Sequence, residues 1–534
     1  MSKNQKQFIF IISIITIIGA VIRLISCYWG YPLQLHTDEP TIVDSAIDML
    51  RRHSWESFVY NRPDQFEIKC NAILFSIISW IKFYAPAYET FNDYKMMYYL
   101  IGRGFTSIFG IALIPFSAFF VGKIVEGTEI NKRFTQYSVA ILVAFSSIFV
   151  SHSSYATPDI PLTFFVLLFS YFFMEYIEKG ELKDFIICSI IIGISTTIKY
   201  PAIIFSIPLA FMVIYREYLY NKKYLNILKY AGFSILIILF VMFVICPNLF
   251  TDISNVIKTI KYEARPTHLG YDGLGFLGNL SYYFVTMSGN LGYISIIPFI
   301  LGIVAIFKNK NVKNYVFLIA LVYLIFMSSL SLHWVRWGIP MYVFYILIVA
   351  IGLGYILSLN NIKFGKITFV LGIIINIIIL SNVFLSGICI TKYSTLPTTI
   401  YLSKDFFEKN KINKEDVLYE GYTIFAPDKA GPRVPNLFEF VDGKIIPKKK
   451  YLSKKYFTMG DSFRDRFFRE PKRYSYEVSI YNAISSNYEL LYELKADGNY
   501  DQNPFAIKNI FYSIKYLFTK KHSIGSQIFI YKLK

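Results

Sequence analysis

Long, mostly apolar blocks alternate with short polar ones along the chain. The apolar blocks are Phe8–Tyr28, Tyr98–Val125, Tyr137–Ser153, Pro161–Tyr176, Phe185–Ile198, Ala202–Tyr215, Ala231–Pro247, Leu291–Phe307, Tyr315–Leu330, Gly338–Ile356 and Ile367–Ile390. A hydrocarbon core about 30 Å thick is crossed by a helix of about 17 to 25 such residues. Helices also satisfy every backbone polar group internally, as lipid requires. The pattern predicts a polytopic α-helical membrane protein with about eleven transmembrane helices. Phe185–Ile198 and Ala202–Tyr215 are short and split by Lys199-Tyr200-Pro201, which predicts a broken helical pair. Cys70–Tyr84 is apolar but too short to cross, and a helix lying in the outer interface is expected there.

From about Thr391 the pattern changes to short alternating runs among Lys, Asp, Glu, Asn and Tyr. Strands are expected at Val417–Phe425, Tyr476–Tyr481, Tyr488–Leu494 and Gln527–Leu533, and helices at Leu402–Asn410 and Asn509–Phe518. The organisation that follows is a membrane body over 1–390, with long outer loops at 31–97 and 248–290, and a small C-terminal α/β soluble domain over 391–534.

Composition sharpens this reading. Only 17% of the 534 residues are charged and 54% are hydrophobic, against about 25% charged in soluble proteins. The net charge of +18 belongs to membrane topology rather than to nucleic acid, because no nucleic-acid motif accompanies it and basic residues gather at cytoplasmic helix ends. Lys3 and Lys6, Lys123, Lys132 and Arg133, Lys179 and Lys183, Arg216, Lys222, Lys223 and Lys229, Lys308, Lys310 and Lys313, and Lys363 and Lys366 fall in loops of one parity. The short loops of the other parity hold only Lys199 and Arg336. A cytoplasmic N-terminus and an external C-terminal domain are expected. The five cysteines are scattered and read as small buried hydrophobes. Leu24-Ile25-Ser26-Cys27 resembles a lipoprotein cleavage box, but Arg23 interrupts the apolar stretch, so Phe8–Tyr28 is kept as the first membrane helix.

Candidate chemistry concentrates on the outer side. His36-Thr37-Asp38-Glu39-Pro40 sets two carboxylates beside the membrane surface, where water, a cation or a substrate must satisfy them. Asp or Glu can take a proton from an acceptor hydroxyl. The structural alternative is a helix start with acids in its first turn. His152 and Asp159 lie in a short outer loop, where Asp159 could instead cap the next helix. Lys199, Arg336 and Arg103 stand at outer helix ends, either to bind phosphate or to snorkel. None of the six histidines forms a metal signature; His268, in Arg265-Pro266-Thr267-His268-Leu269-Gly270-Tyr271, is the one singled out.

In this order, the acidic pair His36–Pro40, the Asp in Thr157-Pro158-Asp159-Ile160-Pro161, the Lys199-Tyr200 pair and the Arg in His333-Trp334-Val335-Arg336-Trp337 resemble the GT-C glycosyltransferases related to protein O-mannosyltransferases and bacterial aminoarabinose transferases. The resemblance covers roughly residues 8–390. It implies inverting transfer of a monosaccharide from a polyprenyl- or dolichyl-phosphate donor to a protein, lipid or glycan acceptor. Asp38 would be the general base with Glu39 beside it; Asp159, His152, Lys199 and Arg336 would bind substrate. Glu67-Ile68-Lys69 resembles the Glu-Lys segment of aminoarabinose transferases, though Cys70 and Asn71 replace the prolines that follow there. Through that likeness Glu67 and His268 could share a divalent cation; no other cofactor is implied. The rival readings are a transporter of lipid-linked glycans, which would place charges mid-span and repeat itself, and a non-catalytic membrane scaffold.

Overall fold

The computed structural model describes residues 2–62, 64–222, 224–359, 365–426, 431–495, 523 and 525–533. The expected helix Asn509–Phe518, together with Lys223, Lys363 and His522, lies outside the described residues. The body is built from α1 (Lys3–Ser26), α2 (Glu39–Arg51), α3 (Gln65–Phe83), α4 (Ala87–Thr90), α5 (Lys95–Ile124), α6 (Lys132–Phe145), α7 (Ser147–Ser153), α8 (Asp159–Lys179), α9 (Leu182–Ile198), α10 (Ser206–Ile214), α11 (Tyr224–Ile245), α12 (Asn248–Thr251), α13 (Ile253–Glu263), α14 (Gly275–Leu291), α15 (Ile296–Lys308), α16 (Phe317–Ser328), α17 (Ile339–Ser358) and α18 (Gly365–Ser394). Among the described residues seven helices are long and apolar enough to cross a membrane, and nine if each of two bent pairs is one span. The two further spans expected from the sequence correspond to α9 and to the apolar helix Asn314–Ser328, both shorter than that length. The chain is a multi-pass membrane protein.

α17 runs through the middle and is buried along nearly its whole length. It packs on α15 backbone to backbone. A Cβ at Gly302 would meet the Ile348 carbonyl, and one at Gly352 the Pro298 carbonyl; small residues give membrane helices this close approach. Arg23, which interrupts α1, also has a packing reason. α6 and α7 meet at a 52° bend, and Arg23 donates at 2.9 Å to each of the Val143 and Ala144 carbonyls in the last turn of α6, where helix carbonyls lack internal partners.

The outer loop expected over 248–290 is largely helical. α14 begins at Gly275 and turns by 107° into the following helical segment. Its apolar stripe is hidden in sequence by Ser, Tyr, Thr and Asn, yet Asn279, Tyr283 and Met287 recur at helical spacing and are buried. α3 lies where an interfacial helix was expected and is not among the candidate spans.

Beyond α18, α19 (Thr399–Lys409) leads to β1 (Val417–Tyr419), the hairpin β2 (Phe438–Val441) and β3 (Lys444–Pro447), β4 (Tyr456–Gly460), α20 (Asp461–Arg469), α21 (Ser475–Asn487), β5 (Glu489–Leu494) and β6 (Ile528–Lys532). The main sheet has the order β1-β4-β6-β5, parallel only between β1 and β4. Its core includes Leu418, Phe457, Phe463, Phe467 and Ile480, and takes in Leu269 from the membrane body. Tyr476–Tyr481 is helix rather than the expected strand. Tyr476, Val478 and Ile480 alternate, but the residues actually buried are Ile480, Tyr481 and Ile484, a helical face.

Candidate active site

The acidic pair divides. Glu39 opens α2 and is fully buried. Its two oxygens accept from Arg103 Nε at 2.7 Å and Nη2 at 2.8 Å, and Oε1 also accepts the Ala156 amide at 3.0 Å. Arg103 completes itself on the Cys27 and Trp29 carbonyls, each at 2.7 Å. A bidentate pair backed by further hydrogen bonds is the form in which buried charge is tolerated. Arg103 therefore does not snorkel, and both Glu39 oxygens are held in hydrogen bonds.

Asp38 precedes α2 but its carboxylate makes no cap bond to the helix. The backbone is held instead by His36, whose Nδ1 accepts the Asp38 amide at 3.2 Å. The carboxylate turns to two arginines: Arg62 Nη1 lies 2.9 Å from Oδ1, and Arg336 pairs with Oδ2. The side chain remains 18% accessible. Arg336 comes from the short helical turn Val335–Gly338 ahead of α17. Arg62 was not singled out in the sequence; the one signal is the Arg62-Pro63-Asp64 run just before an apolar helix. Arg62 also reaches Thr41 Oγ1 at 2.9 Å and Asp64 Oδ2 at 3.0 Å.

Asp159 begins α8 and is buried; it forms an ion pair with Lys199, which sits in extended conformation at the break after α9. Asp64 and Glu67 adjoin this pair. Burial raises the Asp64 carboxyl, against the pull of Arg62 and Lys199. Burial, and then Asp64, raises Glu67 well above the carboxylate range. Neither side-chain oxygen of Glu67 has a hydrogen-bond partner among the described residues. His152, in α7, packs edge-on against Tyr155, which also meets the His36 ring at 4.4 Å and the Trp29 ring at 5.3 Å. Asp38, Arg62 and Arg336 thus form one cluster, Asp159 and Lys199 a second, with Arg62 and Asp64 between them.

His268 is elsewhere. Its ring neighbours are Tyr271 and Trp334, and burial followed by Arg265 and Arg466 lowers its basicity. The charged groups that act on Glu67 are Asp64, Lys199 and Asp159. Among the described residues no three His, Cys, Asp or Glu are placed to hold a metal ion. Glu67 Oε1 and Oε2 and His268 Nδ1 are buried without a hydrogen-bond partner among the described residues.

The fold is of the GT-C type, a multi-pass helical body with a small C-terminal sheet domain. Residues 127–246 match the family model "Dolichyl-phosphate-mannose-protein mannosyltransferase". That segment carries His152, Asp159 and Lys199. No curated protein sequence matches the chain. Among solved structures, the oligosaccharyltransferase of Archaeoglobus fulgidus tethered with an acceptor peptide is 11% identical, with a TM-score of 0.52 over 89% of this chain and 72% of that one. Its apo form gives 11% identity and a TM-score of 0.51 over 86% and 70%. ArnT from Cupriavidus metallidurans bound to undecaprenyl phosphate is 10% identical, with a TM-score of 0.45 over 90% and 96%.

Proposed function

We propose that the protein transfers a monosaccharide from a polyprenyl- or dolichyl-phosphate donor to an acceptor hydroxyl of a protein, lipid or glycan, on the non-cytoplasmic face and with inversion, using Asp38 as general base. The carrying observation is the environment of Asp38. It is an accessible carboxylate at a helix start that it does not cap, and it is held between two arginines. Direct displacement needs a base at the attacking hydroxyl and cations at the leaving phosphate, and here the two kinds of group touch. A donor phosphate reaching Arg336 and Arg62 exchanges one anionic partner for another and leaves the Asp38 oxygens to the acceptor. Lys199, kept in place by Asp159, supplies a further cation. Glu39, expected from the sequence to act beside Asp38, is instead a positioning residue that ties the start of α2 to α5. The matched family's name supports a lipid-phosphate donor.

The test is transfer from a panel of radiolabelled polyprenyl-phosphate sugars in membranes, comparing wild type with Asp38→Asn at equal expression. Removal of a general base lowers the rate by about 100- to 10,000-fold. Equal transfer by both proteins would remove Asp38 from the mechanism. Movement of an intact lipid-linked glycan across the membrane, without bond cleavage, would establish the transporter reading instead.

A further inference from the structure

Four side chains from three distant segments stand in one column. The Arg466 guanidinium, on α20 of the C-terminal domain, lies 5.2 Å from the centre of the Tyr271 ring. Tyr271 stacks on Trp334 with centroids 3.5 Å apart and planes 14° from parallel. On Trp334 sits the Arg336 guanidinium, at 5.4 Å, and Arg336 is the residue paired with Asp38. Cations over aromatic faces attract, and Tyr271 and Trp334 lie face to face in van der Waals contact, so the soluble domain is joined to the proposed base by a continuous run of contacts.

The loop carrying Tyr271 is fastened at both sides. Toward the soluble domain, Leu269 enters its core, the Gly270 amide donates to Glu470 Oε1 at 3.3 Å, and Asp272 pairs with Arg473. Gly270 has φ +75°, and a Cβ there would stand 3.0 to 3.4 Å from Arg466 Cγ, Cβ and Cα. Toward the membrane body, the Gly273 amide donates to the Ser331 carbonyl at 2.5 Å, and the His333 amide to the Tyr271 carbonyl at 3.2 Å. The segment so gripped is the one that carries Trp334 and Arg336.

We propose that Arg466 is a positioning residue, through which the C-terminal domain sets Arg336 against Asp38 by way of the Tyr271–Trp334 stack. The proposal builds on the glycosyl-transfer reading, and its test separates the two. In full-length protein, Arg466→Gln and Tyr271→Leu should each lower kcat about 3- to 30-fold, the range of one cation–π contact, whereas Tyr271→Phe, which keeps the ring, should retain the rate. In an Arg336→Gln background neither loss should appear again, because coupled residues are non-additive. Additive losses, or equal losses from Tyr271→Phe and Tyr271→Leu, would overturn the proposal. Hydrogen exchange supplies a readout independent of activity: Arg466→Gln should speed exchange over 331–338 and 36–42. Unchanged exchange there would refute the column even if transfer is active, and faster exchange would uphold it even if no donor is turned over.

Discussion

At the scale of the residue, Asp38 and Glu39 are adjacent in sequence and opposite in environment, and this decides what each substitution does. Glu39 and Arg103 are both fully buried and paired with each other. Removing one partner strands a charge, so Glu39→Ala or Arg103→Leu should cost about 3 to 5 kcal/mol, read as a fall in thermal stability in detergent. Replacing both by apolar residues should cost less than either single change. Glu67 behaves differently. Burial drives it toward the neutral acid, so Glu67→Gln should change stability by less than about 1 kcal/mol. A much larger loss in the same melting experiment would mean that Glu67 works as an anion. The Asp-Glu pair was legible as a chemical site, but the division of labour was not, since only Arg103, from α5, occupies one of the two carboxylates and leaves the other.

At the scale of the element, β1 and α21 are joined by a buried acid. Glu420, just after β1, is bonded by Tyr481 of α21 and by the Gly460 and Val434 amides, at 3.2 and 3.4 Å. Burial pushes its carboxyl up to about 7. A group raised on folding stabilises fully below its unfolded value, about 4.3, and loses that contribution as pH climbs through about 7. The C-terminal domain should therefore weaken by up to ~3 kcal/mol between about pH 4.5 and 7.5. Glu420→Gln should flatten this slope in pH-dependent melts or exchange over 417–460; an unchanged slope would assign it to other groups. Element types followed the hydrophobic period well wherever runs were long. They failed at Tyr476–Tyr481, where a six-residue alternation also fits one helical face, and in 275–290, where polar residues lining a packed helix read as loop.

At the scale of the whole molecule, the basic loops give the protein a direction in the membrane. A cysteine at Ser486, exposed on α21, should react with an impermeant thiol reagent in intact cells; one at Lys310, after α15, should react only after permeabilisation. The reverse labelling would invert the proposed orientation. With the expected labelling the Asp38 centre and the C-terminal domain share the outer side, as the docking of Leu269 into that domain's core requires them to share one side.

The hydrophobic blocks by themselves determined that the chain is a polytopic helical membrane protein with a small α/β C-terminal domain, because length and polarity of a run are local properties that lipid reads directly. They also placed Asp38, Asp159, Lys199 and Arg336 near the ends of helices. Which carboxylate is buried with a partner and which stays accessible, why Arg23 interrupts α1, and how Arg466 reaches toward Asp38 across Tyr271 and Trp334 were decided only by tertiary structure. Each depends on side chains tens to hundreds of residues apart in sequence meeting in one place, and ion pairing, helix-end capping and ring stacking are set by that meeting rather than by the local sequence.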